Sequence, residues 1–325
     1  MLLTDQNPHN KSIMIALLGK PNAGKSTLIN YLLGFDLTIV SSMPQTTRNQ
    51  FHCAFTVDET TEVVLVDTPG VHSSSKELNI RMNGQAQYGS EGADLNFLLI
   101  DLNKDVVEEA RSFMKEFEND LRRTWIIFTK VDRVENPEKL ELEEKFKAVQ
   151  EIVPSAEKYW AISSKEGTNI HLLTGDIVDA ATEGPHLYPN GTVSNKNERF
   201  FATEYIREQA FKILKDELPY EIAVVIEDFQ DSFKDEEKNV SRDTRISASI
   251  LVNRPSQRAI VVGAKGKNIK EIGTGARKKI EAMVGDRVHL NLHVKVSPKW
   301  FKNNFVLDEI GLPRTHKSNR VWRQK

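Results

Sequence analysis

The sequence predicts an α/β domain built on a mostly parallel sheet with helices on both faces, followed by a smaller α+β domain. Three observations predict it. The chain has 325 residues, more than one hydrophobic core usually organises. Short apolar runs alternate with helix-like stretches through its first half. The alternation then breaks in a stretch rich in Gly, Pro and polar residues, and a different order of elements follows.

In the first half, strands are expected at Ser12–Leu18, Gln50–Val57, Glu62–Val66, Leu95–Ile100, Thr124–Phe128 and Tyr159–Ile162. Several of these are apolar at all but one position, as expected of strands buried on both faces. Helices are expected at Lys25–Leu33, Val106–Phe117, Glu138–Ile152 and Ile170–Ala181. Gly184, Pro185, Pro189 and Gly191 mark a linker at 184–197, which closes a first domain at 1–183. A second domain at 198–311 opens with a helix, Glu198–Leu214, and a strand, Ala223–Glu227. An acidic polar stretch, Asp228–Asp243, and a strand, Arg245–Val252, come next. The helix Asn268–Met283 places Ile269, Ile272, Ala276 and Ile280 on one face. Along Val288–Val296, apolar Val288, Leu290, Leu292 and Val294 alternate with His289, Asn291, His293 and Lys295. Residues 312–325 read as a basic, disordered tail.

Cys53 is the single cysteine, so no disulfide framework can form within the chain, and a reducing, cytoplasmic setting is expected. Met1–Asn10 lacks a basic-then-apolar signal pattern, and no apolar run approaches the length of a membrane span. A soluble protein, acting as a monomer, is expected. Charge is divided unevenly. Residues 254–325 carry 17 Lys and Arg against 5 Asp and Glu, a balance of +12. Residues 1–253 are left with 27 basic and 41 acidic residues, a balance of −14. A basic end on an acidic chain points to a polyanionic partner.

The first strand runs into Gly19-Lys20-Pro21-Asn22-Ala23-Gly24-Lys25-Ser26 and then a helix, which fits G-x-x-x-x-G-K-[ST] in its strand–loop–helix setting. Glycines let the backbone turn its N–H groups toward phosphate oxygens, and the helix N-terminus adds positive potential. Gly19, Asn22, Ala23, Gly24, Lys25, Ser26 and Thr27 are therefore candidate nucleotide contacts. Lys25 would reach the β- and γ-phosphates, and the Ser26 hydroxyl would ligate Mg²⁺. Downstream, a buried-strand pattern ends in Asp67-Thr68-Pro69-Gly70. Asp67 suits Mg²⁺ coordination, and the Gly70 amide suits contact with a γ-phosphate. Between the two lies Ser42-Met43-Pro44-Gln45-Thr46-Thr47-Arg48. Thr46 or Thr47, of which Thr47 is preferred, would join the metal when a triphosphate orders this loop.

The order of these pieces resembles the GTPases of translation and ribosome assembly, in which Asn-Lys-x-Asp and Ser-Ala-x select guanine. Here Thr129-Lys130-Val131-Asp132 and Ser163-Ser164-Lys165 stand in those places. Asp132 would accept from guanine N1 and the exocyclic amine, a donor pair that adenine lacks. The Lys130 stem would cover the base, and the Ser164 N–H would reach the guanine oxygen. Thr129 replaces the usual Asn, which puts one polar tether to the base or the P-loop in question. Val71 occupies the place of the water-positioning Gln of Ras-like proteins, so slow intrinsic turnover is expected. Asn22 stands where potassium-activated members of this class carry an Asn, and is read as helping to hold K⁺. Lys25, Asn22, Thr47 and Gly70 are thus the candidate catalytic residues.

Near the other end, Ile260-Val-Val-Gly263-Ala264-Lys265-Gly266-Lys267-Asn-Ile269 is an apolar element, a G-x-x-G turn and an amphipathic helix. It resembles the KH signature, whose G-x-x-G loop clamps a nucleic-acid backbone. Gly263, Ala264, Lys265, Gly266, Lys267, Lys270 and Arg277 are its candidate RNA contacts. From the residues alone, a kinase or ATPase with an incidental basic end, or a nonenzymatic RNA-binding scaffold, stays open.

Taken together, the chain resembles the Era family of bacterial GTPases from about Lys11 to about Gly311. The resemblance includes Pro44-Gln-Thr-Thr-Arg48, Asp67-Thr-Pro-Gly-Val-His72, Glu217-Leu-Pro-Tyr220, Ser256-Gln257, Ile272-Gly-Thr-Gly-Ala-Arg277 and Val294-Lys-Val296. It implies an α/β P-loop GTPase domain followed by an α+β type II KH domain. It also implies GTP and GDP as ligands with Mg²⁺, binding near the 3′ end of small-subunit (16S) ribosomal RNA, and a role in assembling the small ribosomal subunit. Peripheral association with the cell membrane is implied as well. GTP is expected to fix loops at 40–50 and 70–90. Thr129, Ser164 and Ala264 depart from the family pattern.

Overall fold

The computed structural model describes residues 7–39, 47–71, 77–117, 121–136, 140–189, 191–235 and 240–313. Among these, the first half forms a seven-stranded sheet. Its strands are β1 (Lys11–Gly19), β2 (Phe51–Thr56), β3 (Thr61–Asp67), β4 (Leu95–Asp101), β5 (Thr124–Thr129), β6 (Ala156–Ala161) and β7 (Thr182–Glu183). Their order is β2-β3-β1-β4-β5-β6, with β7 added antiparallel to the start of β1. From β3 to β6 every pairing is parallel, and β2 is the antiparallel edge. β1, β3, β4 and β5 converge on the core, and β3, β4 and β5 are buried along their whole length. One apolar cluster, with Ile13, Leu65, Phe97 and Trp125, covers one face of the sheet; another, with Leu18, Val66, Ile100 and Phe128, covers the other.

The covering helices are α1 (Lys25–Leu33), α2 (Glu77–Glu91), α3 (Val106–Glu116), α4 (Leu142–Gln150) and α5 (Ile170–Ala180). Asp105 caps α3 by accepting from the Val107 and Glu108 amides. Two of these helices differ from expectation by more than a residue. The helix expected from Glu138 begins at Leu142. The 70–90 region, read as a loop, contains α2. Gly84, Gly89, Asn79 and Asn83 depress local helix propensity, which hid the helix. Gly89 is there for packing: a Cβ at that position would come within 2.9 Å of the Thr68 side chain.

The second half contains α6 (Glu198–Ile213), β8 (Ala223–Gln230), β11 (Thr244–Val252), α7 (Pro255–Val262), α8 (Lys267–Val284) and β12 (Val288–Val296), with a short hairpin of β9 (Phe233–Asp235) and β10 (Val240–Arg242) between β8 and β11. The acidic stretch read as a polar connection thus holds this hairpin. β11 lies centrally, antiparallel to β8 and parallel to β12. The α-β-β-α-α-β order is that of the type II KH expectation. Helix α9 (Asn304–Glu309) follows.

Residues 184–189 and 191–195 are laid against the edge of the sheet. The Leu187 and Tyr188 amides donate to Glu62, the Ala54 amide donates to the Val193 carbonyl, and the Ser194 hydroxyl donates to the His52 carbonyl. The two halves share apolar contacts, with Phe51 of β2 packed on Phe200 and Phe201 of α6. Leu312, placed in the tail by the sequence reading, is fully buried against the side of α2 that carries Leu78 and Met82. Residues 314–325 of that tail lie outside the described residues. No helix among the described residues is long and apolar enough to cross a membrane.

Candidate functional site

The loop joining β1 to α1 brings the P-loop residues together. Gly19 has φ +144° and approaches the β4 backbone so closely that a Cβ would meet the Leu99 carbonyl oxygen at 2.6 Å. Gly24, at φ +103°, opens α1. Lys25 is buried, and its ammonium donates to the carbonyls of Gly19 at 3.1 Å and Lys20 at 3.2 Å. Gly70 packs on the same loop: a Cβ there would lie 2.8 Å from the Pro21 nitrogen. Thr27 lies in the first turn of α1.

Three oxygens converge beside Lys25. The Thr47 hydroxyl donates to Asp67 Oδ2 at 3.1 Å and lies 3.4 Å from Ser26 Oγ. Asp67 is fully buried, and its Oδ1 has no hydrogen-bond partner in the protein. Burial pushes the Asp67 carboxyl up, with the Lys25 charge and the Thr47 hydrogen bond opposing it. Burial likewise pushes Lys25 down, with Asp67 opposing. A buried carboxylate oxygen left unpaired between two hydroxyls fits a hard cation that takes oxygen ligands, so Ser26, Thr47 and Asp67 would hold Mg²⁺. Thr46 and residues 72–76 lie outside the described residues. Val71 is buried and its amide donates to the Gly19 carbonyl, so its side chain belongs to the core.

The residues expected to read the base also meet. The Ser163 hydroxyl donates to Asp132 Oδ1 at 2.6 Å and accepts the Glu166 amide at 3.1 Å, which turns the loop back after β6. Ser164 is half-buried and Lys165 exposed in that turn. Thr129 keeps the tether that its identity had put in doubt, because its hydroxyl donates to the Ala23 carbonyl at 2.7 Å. Lys130, in the left-handed region at φ +61°, donates from its ammonium to the Asn22 carbonyl at 2.7 Å and pairs with Asp101 at 2.6 Å. Burial works against the Asp101 carboxylate, but hydrogen bonds from Lys130 and Asn103 outweigh it and hold the carboxyl below its ordinary value.

The G-x-x-G loop joins α7 to α8. Gly263 has φ +73°, Lys265 φ +51° and Gly266 φ +77°, a left-handed path. Ala264, Lys265, Lys267 and Lys270 are exposed around it. Arg277 is not part of this loop. It lies ten residues beyond Lys267 on α8, about 15 Å along the helix, and pairs with Glu281 at 3.4 Å.

Residues 14–130 match the family of 50S ribosome-binding GTPases, and residues 217–301 match the KH domain. GTPase Era of Thermotoga maritima is 37% identical over 307 residues, 93% of this chain and 97% of that protein. The chain belongs to the Era GTPase family. Two solved Era structures share its fold. Era in complex with MgGDPNP and nucleotides 1506–1542 of 16S ribosomal RNA is 28% identical, with a TM-score of 0.85 over 94% of this chain and all of that one. An Aquifex aeolicus Era variant bound to GDP·AlF4⁻ is 26% identical, with a TM-score of 0.83 over the same shares.

Beyond the residues read from motifs, this Era-family chain uses three that the motifs did not single out as site residues. Asp101 holds Lys130, and its position at the end of a buried strand was the same signal that pointed to Asp67. Arg48 and Arg81 are both buried in contacts with the C-terminal half. Their partners in that half lie more than 170 residues away, where no local pattern could show them.

Proposed function

We propose that this Era-family GTPase binds GTP and GDP with Mg²⁺ in the β1–α1 site and binds small-subunit ribosomal RNA through its KH domain, as a switch in assembly of that subunit. The division of labour follows the domain reading, 1–183 for nucleotide and 198–311 for RNA, joined by 184–197. The observation that carries the proposal is the pairing of both sites in one chain whose fold matches, over 94% of its length, Era complexed with MgGDPNP and 16S ribosomal RNA. The chemistry agrees at each end. Lys25 and the Ser26, Thr47 and Asp67 oxygens would serve the phosphates and metal; Thr129, Lys130, Asp132, Ser163 and Ser164 would serve guanine. Glycine-lined backbone and the exposed Lys265 and Lys267 would serve RNA phosphates.

Neutralising Lys265 and Lys267 together tests the RNA assignment. Binding of a 3′-terminal small-subunit RNA fragment is expected to weaken, and the slope of log affinity against log salt to fall by about one to two. Unchanged affinity and slope would remove the KH loop from the interface. Val71 leaves water activation to other groups, and Asn22 is proposed to hold K⁺ in that role; equal turnover in Na⁺ and K⁺ buffers would exclude it. A monomeric state and, on the family resemblance, peripheral contact with the cell membrane complete the proposal. Light scattering and co-sedimentation with anionic vesicles check them: a dimer, or protein left in the supernatant, would reject each in turn.

A further inference from the structure

Three consecutive residues connect the two ends of the molecule. Thr47 lies in the metal cluster, 3.1 Å from Asp67 and 3.4 Å from Ser26. Arg48, next in the chain, is only 3% exposed and is inserted into the KH half. Its guanidinium donates to the Ile222 carbonyl at 2.7 Å and the Tyr220 carbonyl at 3.1 Å, with the Pro219 carbonyl at 3.5 Å. It lies 5.9 Å from the Trp300 ring centre. Trp300 in turn donates to the Glu221 carbonyl at 2.9 Å, which ties the wall of the seat to the turn that supplies the carbonyls. Asn49 follows, donating to the Ile310 carbonyl at 2.9 Å.

We propose that Arg48 is a positioning residue for Thr47, anchored by the KH half, so that the KH half helps hold the metal side of the nucleotide site. The inference rests on the assignment of Ser26, Thr47 and Asp67 to Mg²⁺. Adjacent Cα atoms are about 3.8 Å apart, so Thr47 has little freedom while Arg48 and Asn49 stay seated. A buried guanidinium cannot leave its carbonyls for an apolar setting without a large desolvation cost, so the seat is occupied or the halves separate there. Here the seat is occupied while the Thr47 hydroxyl is already on Asp67, so the two conditions are compatible. The seated arrangement therefore favours the state in which Thr47 engages the metal. A γ-phosphate is what orders such a threonine, so the seat should distinguish GTP from GDP. Linkage makes the effect reciprocal: GTP with Mg²⁺ tightens the Arg48 seat, and hydrolysis loosens it.

The test uses the full chain and fluorescent derivatives of GDP and of a nonhydrolysable GTP analogue, each with saturating Mg²⁺. Arg48→Gln is expected to weaken the GTP analogue by about tenfold, within the usual range of couplings between sites, and to leave GDP within about twofold. Thr47→Val should show the same selective loss, and the double variant should lose little more than either single one, because both act through one hydroxyl. Trp300→Phe loosens the seat from the KH side and should repeat the pattern in milder form. It also serves if Arg48→Gln does not fold. Equal losses for GDP and the GTP analogue, or additive losses in the double variant, would reduce Arg48 to domain glue and overturn the proposal. A wild-type chain whose GTP-analogue affinity ignores Mg²⁺ would instead overturn the metal assignment beneath it.

Discussion

Thr129 shows what one substitution does when its neighbours are fixed. Its hydroxyl reaches the Ala23 carbonyl at 2.7 Å, and its methyl lies beside Gly24, where an added Cβ would sit 3.6 Å away. A shorter side chain than Asn thus holds the P-loop through an oxygen. Thr129→Val keeps the shape and removes the donor, leaving the Ala23 carbonyl facing a methyl. The expected cost is about 1–3 kcal/mol in stability, with GDP affinity falling alongside it. Urea unfolding and GDP titration check this, and a variant unchanged in both would show the tether to be idle. The candidate nucleotide residues, which the fold brings together, are legible in the sequence because they are short contiguous motifs whose order is fixed by the sheet. Arg48 was quoted in a motif, yet its role was hidden. It depends on carbonyls up to 174 positions away.

At the scale of elements, legibility followed hydrophobic pattern. The parallel strands were plain because burial on both faces leaves unbroken apolar runs. α2 is hidden in the sequence because Gly84 and Gly89 weaken its helical pattern, Gly89 serving packing against Thr68. α7 was ambiguous because its start depends on Pro255 and on the Gln257 side chain, which accepts from the Asn253 and Arg254 amides at 2.8 and 3.1 Å. The turn from α7 to α8 yields a prediction at this scale. Both glycines have positive φ, but a Cβ on Gly263 would come within 2.7–3.0 Å of Asn268, whereas one on Gly266 meets open space. Gly266→Ala should cost about 1–2 kcal/mol for the left-handed backbone alone. Gly263→Ala should cost more and displace the Asn268 amide from the Ile260 carbonyl it now meets at 2.8 Å. Denaturant unfolding of the two variants side by side decides it; equal costs would mean that Asn268 yields freely.

At the scale of the molecule, the nucleotide half grips the C-terminal half by two buried arginines, each next to an element that a γ-phosphate would order. Arg48 follows Thr47; Arg81 stands in α2, downstream of Asp67-Thr-Pro-Gly70. The Arg81 guanidinium is 2% exposed and bridges Glu77 at 2.9 Å, Asp308 at 3.1 Å, the Leu312 carbonyl at 2.6 Å and the Asn304 side chain. The two arginines differ in what they hold. Arg48 meets the turn that leads into β8, inside the KH fold, whereas the C-terminal hydrogen-bond partners of Arg81 lie in α9 and just after it. Arg81→Met keeps the apolar stem of the side chain and removes the guanidinium with its donors. It should leave the buried Leu312 carbonyl unsatisfied, cost about 1–3 kcal/mol and release residues 304–313 from α2. Because Arg81 touches neither Thr47 nor Asp67, the ratio of GTP-analogue to GDP affinity should stay at the wild-type value while limited proteolysis cuts near Leu312. A fall in that ratio matching Arg48→Gln would mean that the two arginines work as one latch, with α9 and the Pro219–Ile222 turn moving together.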